Sequence, residues 1–178
     1  MLISGAGTKY ETRRYLGTDV LRIGVCLPEL PDKLTDIYRS LAQKASEEAE
    51  SRLFEIASEE FDIHRSDVSL RYRPFEKYNY FLRIEVTHED EKYLSIIQTV
   101  SIMKGRKKVF FRRYAQVWSK EEETVLSLWE MKRCFSLGKL PIRAYDGAFL
   151  RGEEVVLFGN GKNGEEYSEK IVPICCIK

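Results

Sequence analysis

The sequence predicts an α+β protein, a largely antiparallel meander sheet with one long helix packed on one face. Three observations predict it. Residues 78–118 read as three consecutive strands, rich in β-branched and aromatic residues. Two short polar breaks separate them, His88-Glu-Asp-Glu-Lys92 and Lys104-Gly-Arg-Lys-Lys108. Residues 33–60 carry apolar side chains at steps of three and four, as an amphipathic helix requires.

Composition is compatible with one core. The chain has 178 residues, 43% of them hydrophobic, which suits a single domain over residues 20–178 behind an N-terminal arm of residues 1–19. Charged residues make up 32%, yet the net charge is only +1. That balance argues against a protein built mainly to bind nucleic acid. The apolar runs are short, so no membrane insertion is expected. Met1-Leu-Ile-Ser-Gly-Ala-Gly7 is too short and uncharged to read as a signal peptide, and the expected location is cytoplasmic.

The elements follow in order. Val20–Leu27 is a first strand, with Leu21, Ile23, Val25 and Leu27 on the core face and Val20, Arg22, Gly24 and Cys26 opposite. Pro28 and Pro31 end it. Asp32 is the expected N-cap of the helix. The predicted apolar stripe is Leu34, Tyr38, Leu41, Ala45, Ala49, Leu53 and Ile56, widened by Ile37, Phe54 and Ala57. Val68–Arg73 alternates and reads as a strand.

In the first meander strand Tyr78, Tyr80, Leu82, Ile84 and Val86 share a face; in the second, Leu94, Ile96, Val100 and Ile102 do. The third is apolar on both sides. Two readings compete after Trp118. Ser119-Lys-Glu-Glu122 fits a capping box and would start a helix to Arg133. Alternatively Thr124–Leu128 is a fourth strand and a short helix starts near Trp129. Residues 154–158 and 169–177 are two final strands, joined by a Gly/Asn loop, Gly159-Asn-Gly-Lys-Asn-Gly164, that reads as mobile.

The chemistry-bearing residues point to binding rather than catalysis. The spacing of Cys26, Cys134, Cys175 and Cys176 fits no zinc site, and neither His64 nor His88 has a neighbour that marks it as a base. The four cysteines read as free thiols. Cys175 and Cys176 are adjacent in a strand, so at most one faces the core. No cofactor or metal is implied. An enzyme would need a cleft that gathers Cys26 or Cys134 with a histidine.

The candidate site is the basic hairpin with its aromatic neighbours: Arg83, Arg106, Lys107, Lys108, Phe110, Arg112 and Tyr114. Lys104, Arg113, Arg71, Arg73 and Phe81 are further members of the cluster. Arginines among aromatics suit stacking on single-stranded nucleic acid. The bland alternative is a set of solvated stems that keep sheet edges soluble.

Short motifs resemble a known bacterial domain. Leu21-Arg-Ile-Gly-Val-Cys-Leu-Pro28, Tyr93-Leu-Ser-Ile-Ile97, Gln116-Val-Trp-Ser119 and Val125-Leu-Ser-Leu-Trp-Glu-Met131 are similar to the extracytoplasmic sensing domain of RsiV-type anti-sigma factors. They are also similar to a related uncharacterised domain found beside peptidoglycan deacetylases. The chain departs from that pattern where the family has a glycine after the third meander strand; Glu122 or Glu123 stands there. The resemblance implies a binding or sensing domain, whose anti-sigma members bind lysozyme and a sigma factor. The expectation is therefore a non-enzymatic bacterial domain acting through a protein partner or small ligand, with single-stranded nucleic acid as the alternative partner.

Overall fold

The computed structural model describes residues 5–161 and 168–174. It is α+β, as the periodicities predict. A six-stranded sheet has the order β1-β2-β3-β4-β5-β6: Gly7–Tyr15, Thr18–Leu27, Tyr78–Glu89, Tyr93–Lys104, Lys107–Ser119 and Thr124–Val125. A second sheet has the order β7-β8-β9, Gly147–Arg151, Glu154–Gly159 and Ser168–Pro173. The helices are α1, Asp32–Ser66, and α2, Leu128–Cys134. The β2–β3 pairing is parallel, because α1 carries the chain back to the end of the sheet where β2 began. Two compact units divide the chain, Met1–Arg83 with Val100–Phe110 and Ile84–Thr99 with Phe111–Lys178.

In the first unit, α1 lies on one face of the sheet. Leu21, Ile23, Val25 and Leu27 are buried beneath it, as alternation along β2 predicts, but Val20, expected on the opposite face, is fully buried as well. Tyr78, Tyr80 and Leu82 of β3 are buried too. The helix buries Tyr38, Leu53 and Ala57, as predicted, and with them Ala42, Ser46 and Phe61, which the predicted stripe lacks. Ile37 and Ile56 are exposed, and Leu41 and Ala45 are only half-buried. Small Ala42 and Ser46 take the central positions, and the Ser46 hydroxyl donates to the Ala42 carbonyl at 2.7 Å, so its burial leaves no unmet polar atom. Pro31, not Asp32, is the N-cap, and its backbone carbonyl accepts from the Leu34 and Thr35 amides. Asp32 sits in the first turn, where its charge suits the helix dipole.

Residues 7–15, in the segment read as an arm, form β1 and pair antiparallel with β2. The hairpin closes on Leu16-Gly17, both at positive φ, a conformation that Asn-Gly signals more clearly. Arg13 of β1 forks onto the Glu50 carboxylate of α1, which raises the guanidinium pKa and holds that of Glu50 below the usual glutamate value. The Tyr15 hydroxyl donates to Asp62 at 2.9 Å, and Tyr78 and Lys104 both reach Glu60.

Val68–Arg73 is a turn, not a strand. The Asp67 carboxylate accepts from the Ser69 amide and hydroxyl, and the Asp67 carbonyl accepts from the Leu70 and Arg71 amides. These local bonds outcompete a ladder.

In the second unit, β7 and β8 are covered on both sides, whereas β9 is largely exposed. Ala148, Leu150, Val155 and Leu157 pack with Met131, Phe135 and Leu137, and Phe149, Val156 and Phe158 pack with Ile97 and Ala115. The second reading after Trp118 holds: β6 is a two-residue strand, and α2 starts at a capping box in which Ser127 and Glu130 bond reciprocally. The Ser119 hydroxyl serves the preceding turn, accepting from the Glu122 amide at 3.2 Å. Glu123 has φ +51°, the left-handed conformation for which glycine is suited.

The Gly/Asn loop is tied at its start. Asn160 accepts from the Arg113 amide at 2.6 Å and donates to the Arg113 carbonyl at 3.0 Å. Residues 162–167, Cys175 and Cys176 lie outside the described residues. Cys26 and Cys134 are free and partly buried.

Candidate binding surface

The face of the first unit's sheet that α1 leaves open has an ordered set of side chains. The register places Thr8, Cys26 and Arg83 in one row, Tyr10, Gly24 and Phe81 in the next, and Thr12, Arg22 and Asn79 in the third. Rings of Tyr10 and Phe81 stack across Gly24, with centroids 6.0 Å apart and planes 20° from parallel. Gly24 makes this stack fit: a Cβ there would lie 2.5 Å from Phe81 and 2.7 Å from Tyr10. The Arg22 guanidinium lies 4.0 Å from the Tyr10 ring centroid, a geometry worth about 0.5–1 kcal/mol at an exposed site. Arg22 pairs in register with Asn79 and Arg83 with Cys26, so the two arginines flank the aromatic row about 13 Å apart along the strands. Tyr10 is 51% exposed, and both arginines are exposed.

Part of this surface lay on the face of Val20–Leu27 opposite the expected core. Tyr10 escaped sequence reasoning because β1 is polar on both faces and shows no hydrophobic alternation. Of the predicted site residues, Arg83 belongs to this surface. Arg106, Lys107 and Lys108 are exposed around the β4–β5 turn, and Phe110 follows them at 36% exposure. Arg112 and Tyr114 of the second unit form a pair of their own, guanidinium to ring at 5.4 Å. Arg71 and Arg73 lie in the turn after α1.

A separate cleft in the second unit, about 300 Å³, has His88, Asp90, Tyr93 and Cys134 among its walls. It thus gathers Cys134 with a histidine, as the enzyme reading requires. Cys134 ends α2. The Tyr93 phenol, its pKa raised by burial and then by the Cys134 thiol beside it, is the thiol's partner. His88 Nε2 is held by Asp90 at 2.9 Å.

No protein-family model and no curated protein matches this chain in sequence. Solved structures do match in fold. A DUF3298 family member from Bacteroides fragilis superposes with a TM-score of 0.54 over 95% of this chain and 89% of its own, at 9% identity. The two share a fold. A DUF3298 family protein from Pseudomonas aeruginosa matches over 97% of this chain and 93% of its own, at 14% identity and a TM-score of 0.46. The neighbours are thus bacterial, and no helix among the described residues is long and apolar enough to cross a membrane.

Proposed function

We propose that the chain is a non-enzymatic bacterial binding domain that engages a protein partner through the open face of β1, β2 and β3. The observation that supports it is the stacked Tyr10–Phe81 pair held between Arg22 and Arg83 on a face that α1 does not cover. Tyrosine and arginine are the residues that most often dominate protein interfaces, and a flat sheet face presents them at little conformational cost. The resemblance to RsiV-type domains, which bind proteins, adds to the reading. The free thiols Cys26 and Cys134 support a reducing, cytoplasmic setting, against the extracytoplasmic one that the anti-sigma resemblance implies.

The test is a photo-crosslinking amino acid at Thr12, beside the surface, compared with one at Ile56, an exposed position of α1. A discrete protein adduct in bacterial cells from position 12 alone, lost on Arg22→Glu, is the expected result. Adducts equally frequent from both positions would count against the surface. Single-stranded nucleic acid is the second reading, favoured by the arginine–aromatic stacking. Low-salt binding of a labelled oligonucleotide, abolished by Arg83→Glu, would move the function there.

A further inference from the structure

A groove of about 1190 Å³ runs beside the C-terminal end of α1, within the first unit. Arg65, Arg71, Arg73 and Lys77 line it, and Phe61 and Phe75, edge to face at 5.2 Å, form part of its wall. The one carboxylate among its described lining residues, Asp19, is already taken by Arg14 at 2.8 Å. None of the four cations has a carboxylate partner among the described residues.

Other arginines of the first unit, Arg13 with Glu50, Arg39 with Asp36 and Arg52 with Glu48, do have carboxylate partners. Arg65 lies in the last turn of α1, where it offsets the helix dipole. Arg71, Arg73 and Lys77 follow the helix and have no such role. Like charges gathered at one cavity repel one another unless an anion joins them. The guanidinium fork matches phosphate oxygens in pairs, and the groove is far larger than one phosphate needs.

We propose that this groove binds a ligand bearing several phosphate groups, supplied by a soluble oligophosphate or by the headgroups of an anionic lipid surface. The proposal is independent of the Tyr10–Phe81 surface. Its test uses two probes on the full chain at low salt: inorganic tripolyphosphate by calorimetry, and co-sedimentation with phosphatidylglycerol vesicles against phosphatidylcholine vesicles. Binding of at least one probe is expected, weakened about tenfold or more in Arg71→Gln/Arg73→Gln and falling with salt. Arg52→Gln, an exposed position of α1 outside both this groove and the sheet surface, should bind as the parent does, which separates loss of the groove from loss of any single positive charge. Both arginine side chains are exposed, so an unchanged thermal melt will show that the double variant folds. The proposal is overturned if neither probe binds, if binding survives the double variant, or if polyglutamate binds as tightly as tripolyphosphate.

Discussion

Two glycines, one in each unit, lie under aromatic rings to opposite effect. Gly24 sits between Tyr10 and Phe81 on a face open to solvent, whereas Gly147 sits under Phe158, which is fully buried. A Cβ at either glycine would come within 2.5 Å of a ring carbon. In the first unit the missing side chain lets the exposed ring of Tyr10 stack on the half-buried ring of Phe81. In the second it lets one ring fill a core. The first unit covers one face of its sheet with α1 and leaves the other open to solvent; the second buries both faces of β7 and β8.

The largest expected effect is in the packed unit. Phe158→Ala should cost about 3–5 kcal/mol, because it empties a fully buried site. Tyr10→Ala should cost less than about 1.5 kcal/mol, the upper worth of an aromatic pair. Chemical unfolding of the two variants checks the contrast, and similar losses would erase it.

Smaller effects sharpen the comparison at the turns. Leu16 in the first unit and Glu123 in the second hold left-handed conformations, at φ +47° and +51°. Leu16→Asn and Glu123→Gly should each stabilise by about 0.5–1 kcal/mol, since the new residue adopts that conformation more readily. A lower melting temperature in either would mean that the native side chain makes a contact that outweighs its strain.

The smallest effect is on pH dependence. Glu50 has a folded-state pKa below its unfolded value, so the Arg13–Glu50 pair contributes fully above the ordinary glutamate range. The contribution is lost as pH falls through the lowered pKa. Glu50→Gln should therefore flatten the acid limb of stability against pH and leave the pH dependence above that range unchanged. An unaltered acid limb would remove the pair from the account.

Much of this was legible in the residues. Alternation placed Leu21, Ile23 and Val25 inside and Arg22 and Gly24 outside, since a strand period of two has only two solutions. The helix stripe was harder. Over 35 residues a choice of Leu41 over Ala42 turns the buried line through one residue, and hydrophobicity favours the larger side chain where close packing needs the smaller. β1 was hidden because its core-side residues Arg13 and Tyr15 reach acids of α1 instead of being apolar. The open surface was only half visible: Arg83 and Phe81 stood out, but Tyr10 joins them through a pairing that no local pattern announces.

The most direct measurement is the unfolding free energy of Gly24→Ala beside Gly147→Ala in urea. If the Tyr10–Phe81 face is a contact surface with room to yield, Gly24→Ala should cost less than about 1 kcal/mol, while Gly147→Ala should cost about 1–3 kcal/mol by overpacking. Equal losses, or a larger loss at Gly24, would show that the first unit's rings are structural packing and contradict the account.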